Sequence, residues 1–195
     1  MRYNLSEIKE LIKDRRTVYP VQYSKRSIHK EIIEELLNSA IWAPTHGMSQ
    51  PWRFKVYRNE GLQKLSEMLM KEYHIAVPKA DRKKAKEQKM EQRPLNSSAA
   101  IFVTMERPEE KRIHEYDEMF ACAAAIQNIL LHATAHGIGS FWSTPGFIRS
   151  EGFRERQGLS QDDWVMGIIY LGYPEGDWPK GQRKPIEYVT EWIEE

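Results

Sequence analysis

The run "EYDEMFACAAAIQNILLHATAH", residues 115–136, constrains the fold more than any other stretch. Its pattern predicts one long helix ending at Gly137. Ala121, Cys122, Ala124, Ala125, Ile126, Ile129, Leu130 and Ala133 leave little of its circumference polar. A helix that is apolar all round must be covered on every side. A chain of 195 residues supports one domain with a full core, and two complete domains would be cramped. The expectation is therefore a single domain over 1–195, for which a second subunit is a natural cover.

Shorter elements surround that helix. Ser6 can cap a first helix with Leu5, Ile8, Leu11 and Ile12 on one face, and Pro20 disfavours its continuation. Ser27 can cap a second, in which Ile28, Ile32, Ile33, Leu36, Leu37 and Ile41 recur at helical spacing as far as Pro44. "WRFKVY" alternates Trp52, Phe54 and Val56 against Arg53 and Lys55, a strand with one buried face. After Asn59 comes a third helix with Leu62, Leu65, Leu69 and Tyr73 inward. "AAIFVTM", residues 99–105, reads as a central strand, and "WVMGIIYLGYP" as a core strand ended by a Gly/Pro turn. "GIGSFWS" leads to a short strand or loop, and Phe147–Gln157 to a short helix. Residues 79–93, "KADRKKAKEQKMEQR", are almost wholly polar: a solvated helix or mobile segment on one reading, a flexible flap over a site on the other. Helices come first and strands mix with helices afterwards, without βαβ alternation, so the order favours an α+β fold.

Much familiar chemistry is missing. A net charge of +1 gives no global field for nucleic acid or an anionic membrane, so neither is expected as a partner. The one cysteine, Cys122, excludes an intramolecular disulfide and fits a reducing compartment. The N-terminus lacks an apolar signal core and no stretch approaches the ~20 apolar residues of a membrane span. A soluble, cytoplasmic protein is expected. "GIGSFW" puts Trp142 where a dinucleotide fingerprint has its third glycine, and there is no phosphate loop or GxSxG elbow. His132 and His136 stand one turn apart, as metal ligands can, but lack a zinc peptidase's glutamate, so surface or core-edge histidines and no metal are expected.

What remains is two basic clusters and an unusual loop. Arg15, Arg16 and Thr17 end the first helix, where cations also act as C-terminal caps. Arg183 and Lys184 lie in the tail, where solvated charge is the simpler reading. If the clusters converge, arginine forks and a threonine hydroxyl make a phosphate seat without a glycine-rich loop. "APTHGMSQPWRF", residues 43–54, supplies Pro44, Gly47 and the donors Thr45, His46, Ser49 and Gln50, while "FWST", 141–144, adds aromatic surface beside two hydroxyls. Such parts suit a flat heteroaromatic ring.

RRT after an amphipathic helix, APTHGMSQPWRF, the long apolar helix leading to GIGSFWST, then LGYP and RKP together resemble the FMN-dependent nitroreductases, in particular their subgroup of about 200 residues. The resemblance implies an α+β sandwich with a central, mostly antiparallel sheet, an intertwined homodimer, and one FMN in each of two interface clefts. It assigns Arg15, Arg16 and Thr17, with Arg183 and Lys184, to phosphate and ribityl contacts. It gives Trp42, Thr45 and His46 to the loop offered by the neighbouring subunit, and Trp142, Ser143 and Thr144 to the isoalloxazine edge. It further implies ping-pong transfer of hydride from NAD(P)H to a small-molecule acceptor such as a nitroaromatic or quinone, with no dedicated catalytic side chain. A dedicated reaction such as dehalogenation or dehydrogenation, or a non-enzymatic flavin sensor or carrier, is the alternative. Met48 stands where many relatives have asparagine and Trp42 where the subgroup often has arginine, both removing polar groups near the ring. Asn96 is the nearest candidate for the asparagine that larger relatives carry before the central strand.

Overall fold

A computed structural model describes residues 3–110 and 112–194. Helix α1 spans Leu5–Asp14 and is capped by Asn4, whose Oδ1 accepts from the N–H groups of Ser6 at 3.1 Å and Glu7 at 3.5 Å. Ser6, the expected cap, lies inside the helix because Asn4 supplies the acceptor two residues earlier. Helix α2, Lys30–Ala40, starts beyond Ser27 and has His29 at its N-cap with no side-chain bond. The expected Ser27 cap gives way to Ser98, whose Oγ accepts from the Ile28 N–H at 2.7 Å. Strand β1 (Trp52–Arg58), helix α3 (Glu60–Ala76), helix α4 (Lys84–Leu95) and strand β2 (Ala99–Met105) follow. Helix α5 (Glu115–Ala135), strand β3 (Gly139–Ser143), the short helix α6 (Glu151–Arg156) and strand β4 (Trp164–Gly172) complete the framework.

The strands form one sheet in the order β1-β2-β4-β3, every neighbouring pair antiparallel, which is the expected α+β architecture. Strand β2 is buried at all seven positions, as its unbroken apolar run requires of a strand covered on both faces. Its Ile101, Val103 and Met105 pack with Ile169 and Leu171 of β4 against α2 and α5. On the opposite face Ala100 and Phe102 meet Leu62, Leu65 and Leu69 of α3 and Phe153 of α6. The sheet is thus the middle layer of a sandwich, and each fully buried Ile or Leu contributes about 2 kcal/mol through the area it hides.

Helix α5 buries Ala121, Cys122, Ala125, Ile126, Ile129, Leu130 and Ala133, yet Tyr116 and Phe120 remain 60% and 66% exposed. Helix α1 buries none of its residues, leaving Leu5, Ile8 and Ile12 open. The polar run 79–93 forms a 3-10 turn, Lys79–Asp81, and most of α4, which lies on α3 through buried Met90 and Pro94. The Ser66 hydroxyl donates to the Glu91 carbonyl at 2.9 Å, and His74 Nε2 meets Glu87 Oε1 at 2.9 Å. Among the described residues, no helix is long and apolar enough to cross a membrane.

Candidate functional site

Where α1 ends, Arg15 takes the C-cap and its backbone N–H returns to Leu11 O. The chain then runs along the outer edge of β3: Thr17 bridges Ser140 and the Val18 N–H donates to Ser140 O at 3.0 Å. The far end of the chain comes back to the same place, because Trp178 Nε1 donates to Asp14 O at 2.6 Å. The two basic clusters therefore converge. Arg15, Arg16, Lys13, Gln127, Gly181 and Arg183 line a cleft of about 490 Å³.

The electrostatics of this cleft favour an anion. Burial, then the Arg183 and Arg16 charges, hold the Arg15 guanidinium below its ordinary pKa. Among the described residues, none of these three arginines has a carboxylate partner within ion-pair distance. Arg16 Nη1 donates to Arg15 O at 2.9 Å, which fixes its fork, but its Nε is buried without a partner. Gly181 lies so close that a methyl group there would overlap the Arg16 guanidinium. Three guanidiniums with no carboxylate partner among the described residues, and one orphaned N–H, around a cleft are what a phosphate group would satisfy. Lys184 is placed differently: it lines an adjoining cleft, with its Nζ 5.9 Å from the Tyr188 ring centre.

The end of β3 presents the second group of expected residues. Trp142 Nε1 donates to Met166 O at 2.9 Å, lying across Gly167, where any side chain would overlap the indole. Ser143 is buried and its Oγ accepts from Arg93 Nη1 at 3.3 Å; Thr144 is exposed. Arg93 also stacks over the Phe141 ring at 4.8 Å, and Tyr19 packs on that ring at 4.9 Å. Burial lowers the Arg93 pKa, opposed by Tyr170 and Tyr19. Sequence reasoning missed this arginine, which it had as one cation among many in 79–93, and looked instead to Asn96. Asn96 is the C-cap of α4, its N–H bonded to Gln92 O.

The loop after α2 is held apart from the arginine cleft. Trp42 is 84% exposed, Thr45 is half-buried, and His46 Nδ1 meets Asp117 Oδ2 at 3.0 Å. Gly47, Met48 and Gln50 all have positive φ, at 58°, 56° and 43°. For Met48 and Gln50 this conformation costs about 1 kcal/mol or more each, a kind of strain that gathers at binding sites. Ser49 Oγ is buried with no partner. The loop touches α5 at Asp117, whereas the cleft includes Gln127, about 15 Å further along at 1.5 Å per residue. One chain alone therefore does not bring Trp42, Thr45 and His46 to the arginines.

Known proteins share this arrangement of elements. The Nitroreductase family model matches residues 12–173. A relative from Archaeoglobus fulgidus, provisionally named an NADH dehydrogenase/NAD(P)H nitroreductase, is 34% identical over 177 residues, covering 89% of this chain and 88% of its own. The crystal structure of a nitroreductase-like family protein from Bacillus cereus superposes with a TM-score of 0.84 at 30% identity, covering 100% of this chain and 98% of that one. A Bacteroides fragilis nitroreductase crystallised with FMN shares the fold at a TM-score of 0.69 and 21% identity, over 96% of this chain and 99% of its own. Matched from the end of α1 to the turn beyond β4, this chain belongs to the nitroreductase family of oxidoreductases.

Proposed function

We propose that the protein binds FMN and uses it to pass reducing equivalents from NAD(P)H to a small acceptor of the nitroaromatic or quinone class. The observation that carries this reading is the cleft at Arg15, Arg16 and Arg183, with the Arg16 Nε left unsatisfied and Gly181 making room. When bound, FMN supplies the hydride chemistry, and the two substrates would use one cleft in turn.

The chain's own residues bind and orient. Arg15, Arg16 and Arg183 neutralise the phosphate and relieve their mutual repulsion, and the Thr17 hydroxyl is within the same segment to add a donor. Arg93, held by Ser143 and Phe141, places a fixed positive charge near the β3 end, where electron-rich edges of a ring are stabilised. Trp142, anchored to Met166 O, walls that end and excludes water. The strained loop with Trp42, Thr45 and His46 completes the cleft of a second copy, and exposed Tyr116, Phe120 and the α1 stripe are the surface such a copy covers. Lys184 is the weakest member of the set, since it lines the adjoining cleft rather than the one shared by Arg15 and Arg16.

A second reading keeps the flavin and changes the acceptor. The iodotyrosine deiodinase of Nematostella vectensis is 24% identical over 221 residues, covering 97% of this chain, which favours a dedicated reductive reaction as the alternative. Purified protein should be yellow with about one FMN per chain, elute as a dimer, and oxidise NADH or NADPH when given a nitroaromatic. Arg15→Ala should weaken FMN by about 1–3 kcal/mol, the scale of a charge-assisted contact. A colourless protein that ignores added FMN would overturn the proposal; flavin without turnover of nitroaromatics or quinones would favour the dedicated reaction.

A further inference from the structure

The histidine pair at the end of α5 acquires a third group that its own sequence neighbourhood does not contain. Glu35 of α2 reaches it across the helix–helix interface: His136 Nε2 lies 3.2 Å from Glu35 Oε2. The His132 and His136 rings stand side by side with centroids 4.9 Å apart. One ligand atom from each of Glu35, His132 and His136 falls within 4.8 Å of the others. We propose that these three side chains form a binding site for a divalent cation of the zinc type, separate from the arginine cleft and from the end of β3.

The reasons are geometric and chemical. Two histidines at i and i+4 share one face of a helix, and with one carboxylate they give the mixed nitrogen and oxygen donor set that suits Zn²⁺ or Ni²⁺ rather than Mg²⁺. An outer partner also orients one ring. The Ser39 hydroxyl donates to Glu35 O at 3.2 Å, so its oxygen is free to accept from His132 Nδ1, 2.5 Å away. That bond leaves Nε2 with the lone pair, the arrangement by which a neighbouring acceptor fixes a metal-binding imidazole. Glu35 and His136 are exposed enough for an ion to enter, and a fourth position remains for water. Without metal, the His136–Glu35 contact is a solvated pair of small worth. With metal, the middle of α2 would be fastened to α5 about two turns before the strained loop at Trp42–Gln50 begins.

The test uses the untagged full-length protein as purified, stripped of metal with EDTA and dialysed, then titrated with ZnCl₂ by calorimetry. The expected result is one Zn²⁺ per chain, no response to MgCl₂, and a rise in Tm of about 5–10 °C when zinc exceeds its Kd a hundredfold. His136→Ala and Glu35→Gln should each weaken zinc by tenfold or more, and Ser39→Ala by about tenfold through the lost orientation of His132. Melting of each variant in EDTA checks that its fold is intact, and flavin content should be unchanged. Absence of zinc binding, or zinc affinity unaltered in both His136→Ala and Glu35→Gln, would overturn the proposal.

Discussion

Gly181→Ala is a sharp test of the anion seat, because it changes the cleft without removing a charge. The new methyl group would occupy space now held by the Arg16 guanidinium. Gly181 does not need positive φ, so alanine is compatible with the backbone and the change acts through the collision. Arg16 is a flexible side chain and yields by shifting its guanidinium, which disturbs its 2.9 Å bond to Arg15 O and displaces its fork from the cleft. Loss of one charge-assisted contact is worth about 1.5–3 kcal/mol, so FMN should bind about 10- to 150-fold more weakly. The position is exposed and outside the sheet, so stability without flavin should change by no more than about 0.5 kcal/mol. Quenching of flavin fluorescence during titration of the apoprotein reads the first quantity, and a urea melt without FMN reads the second. An affinity within twofold of wild type, with the melt unchanged, would refute the idea that Arg16 is cradled there to meet a phosphate.

Other perturbations address other parts of the molecule. Arg93→Gln should lower the two-electron potential of bound FMN by about 20–40 mV, as 1–2 kcal/mol of charge stabilisation converts, measured by anaerobic dye titration. Arg107→Ala should cost about 3–5 kcal/mol in urea unfolding, because Glu118, 1% exposed and 2.7 Å from Arg107 Nε, would be left as an unpaired buried charge. Burial, with Glu118 adding to it, pushes the Cys122 thiol up to about 12, so it should resist iodoacetamide at pH 8 in the folded state. The folded pKa lies above the unfolded value, so this contribution to stability is full below about 9 and lost as pH rises toward 12. Urea midpoints between those limits should therefore fall less steeply in Cys122→Ala than in wild type.

How much of this could be read from the chain depended on how local the determining forces were. The α5 helix and the buried β2 strand follow from periodicity and stand where they were expected, whereas the β1 alternation holds from Trp52 to Lys55 and fails at Val56, which is exposed while Tyr57 packs inward. Caps were less legible: Asn4 and Ser6 are both good acceptors, and only the geometry of the turn selects Asn4. The meeting of Arg15 with Arg183 was legible as a conditional, since it depends on the tail returning to Asp14 through Trp178. Arg93 was hidden because its placement is set by Ser143, a β3 residue fifty positions later, rather than by anything near it in sequence. Glu35 was hidden in the same way from His132 and His136. The left-handed backbone at Met48 and Gln50 has no signal in those residue types, which do not favour it.

The Trp178–Asp14 tie has a genetic consequence. Every rung of the sheet is complete by Gly172, so a chain clipped after Asp177 would keep the sheet and all of its buried core, losing only half-buried Trp178 from one packed face, while surrendering Gly181 and Arg183. Solubility and colour would then be inherited through different stretches of the gene. A late nonsense codon should produce a pale protein that still melts cooperatively, instead of one that is degraded on synthesis.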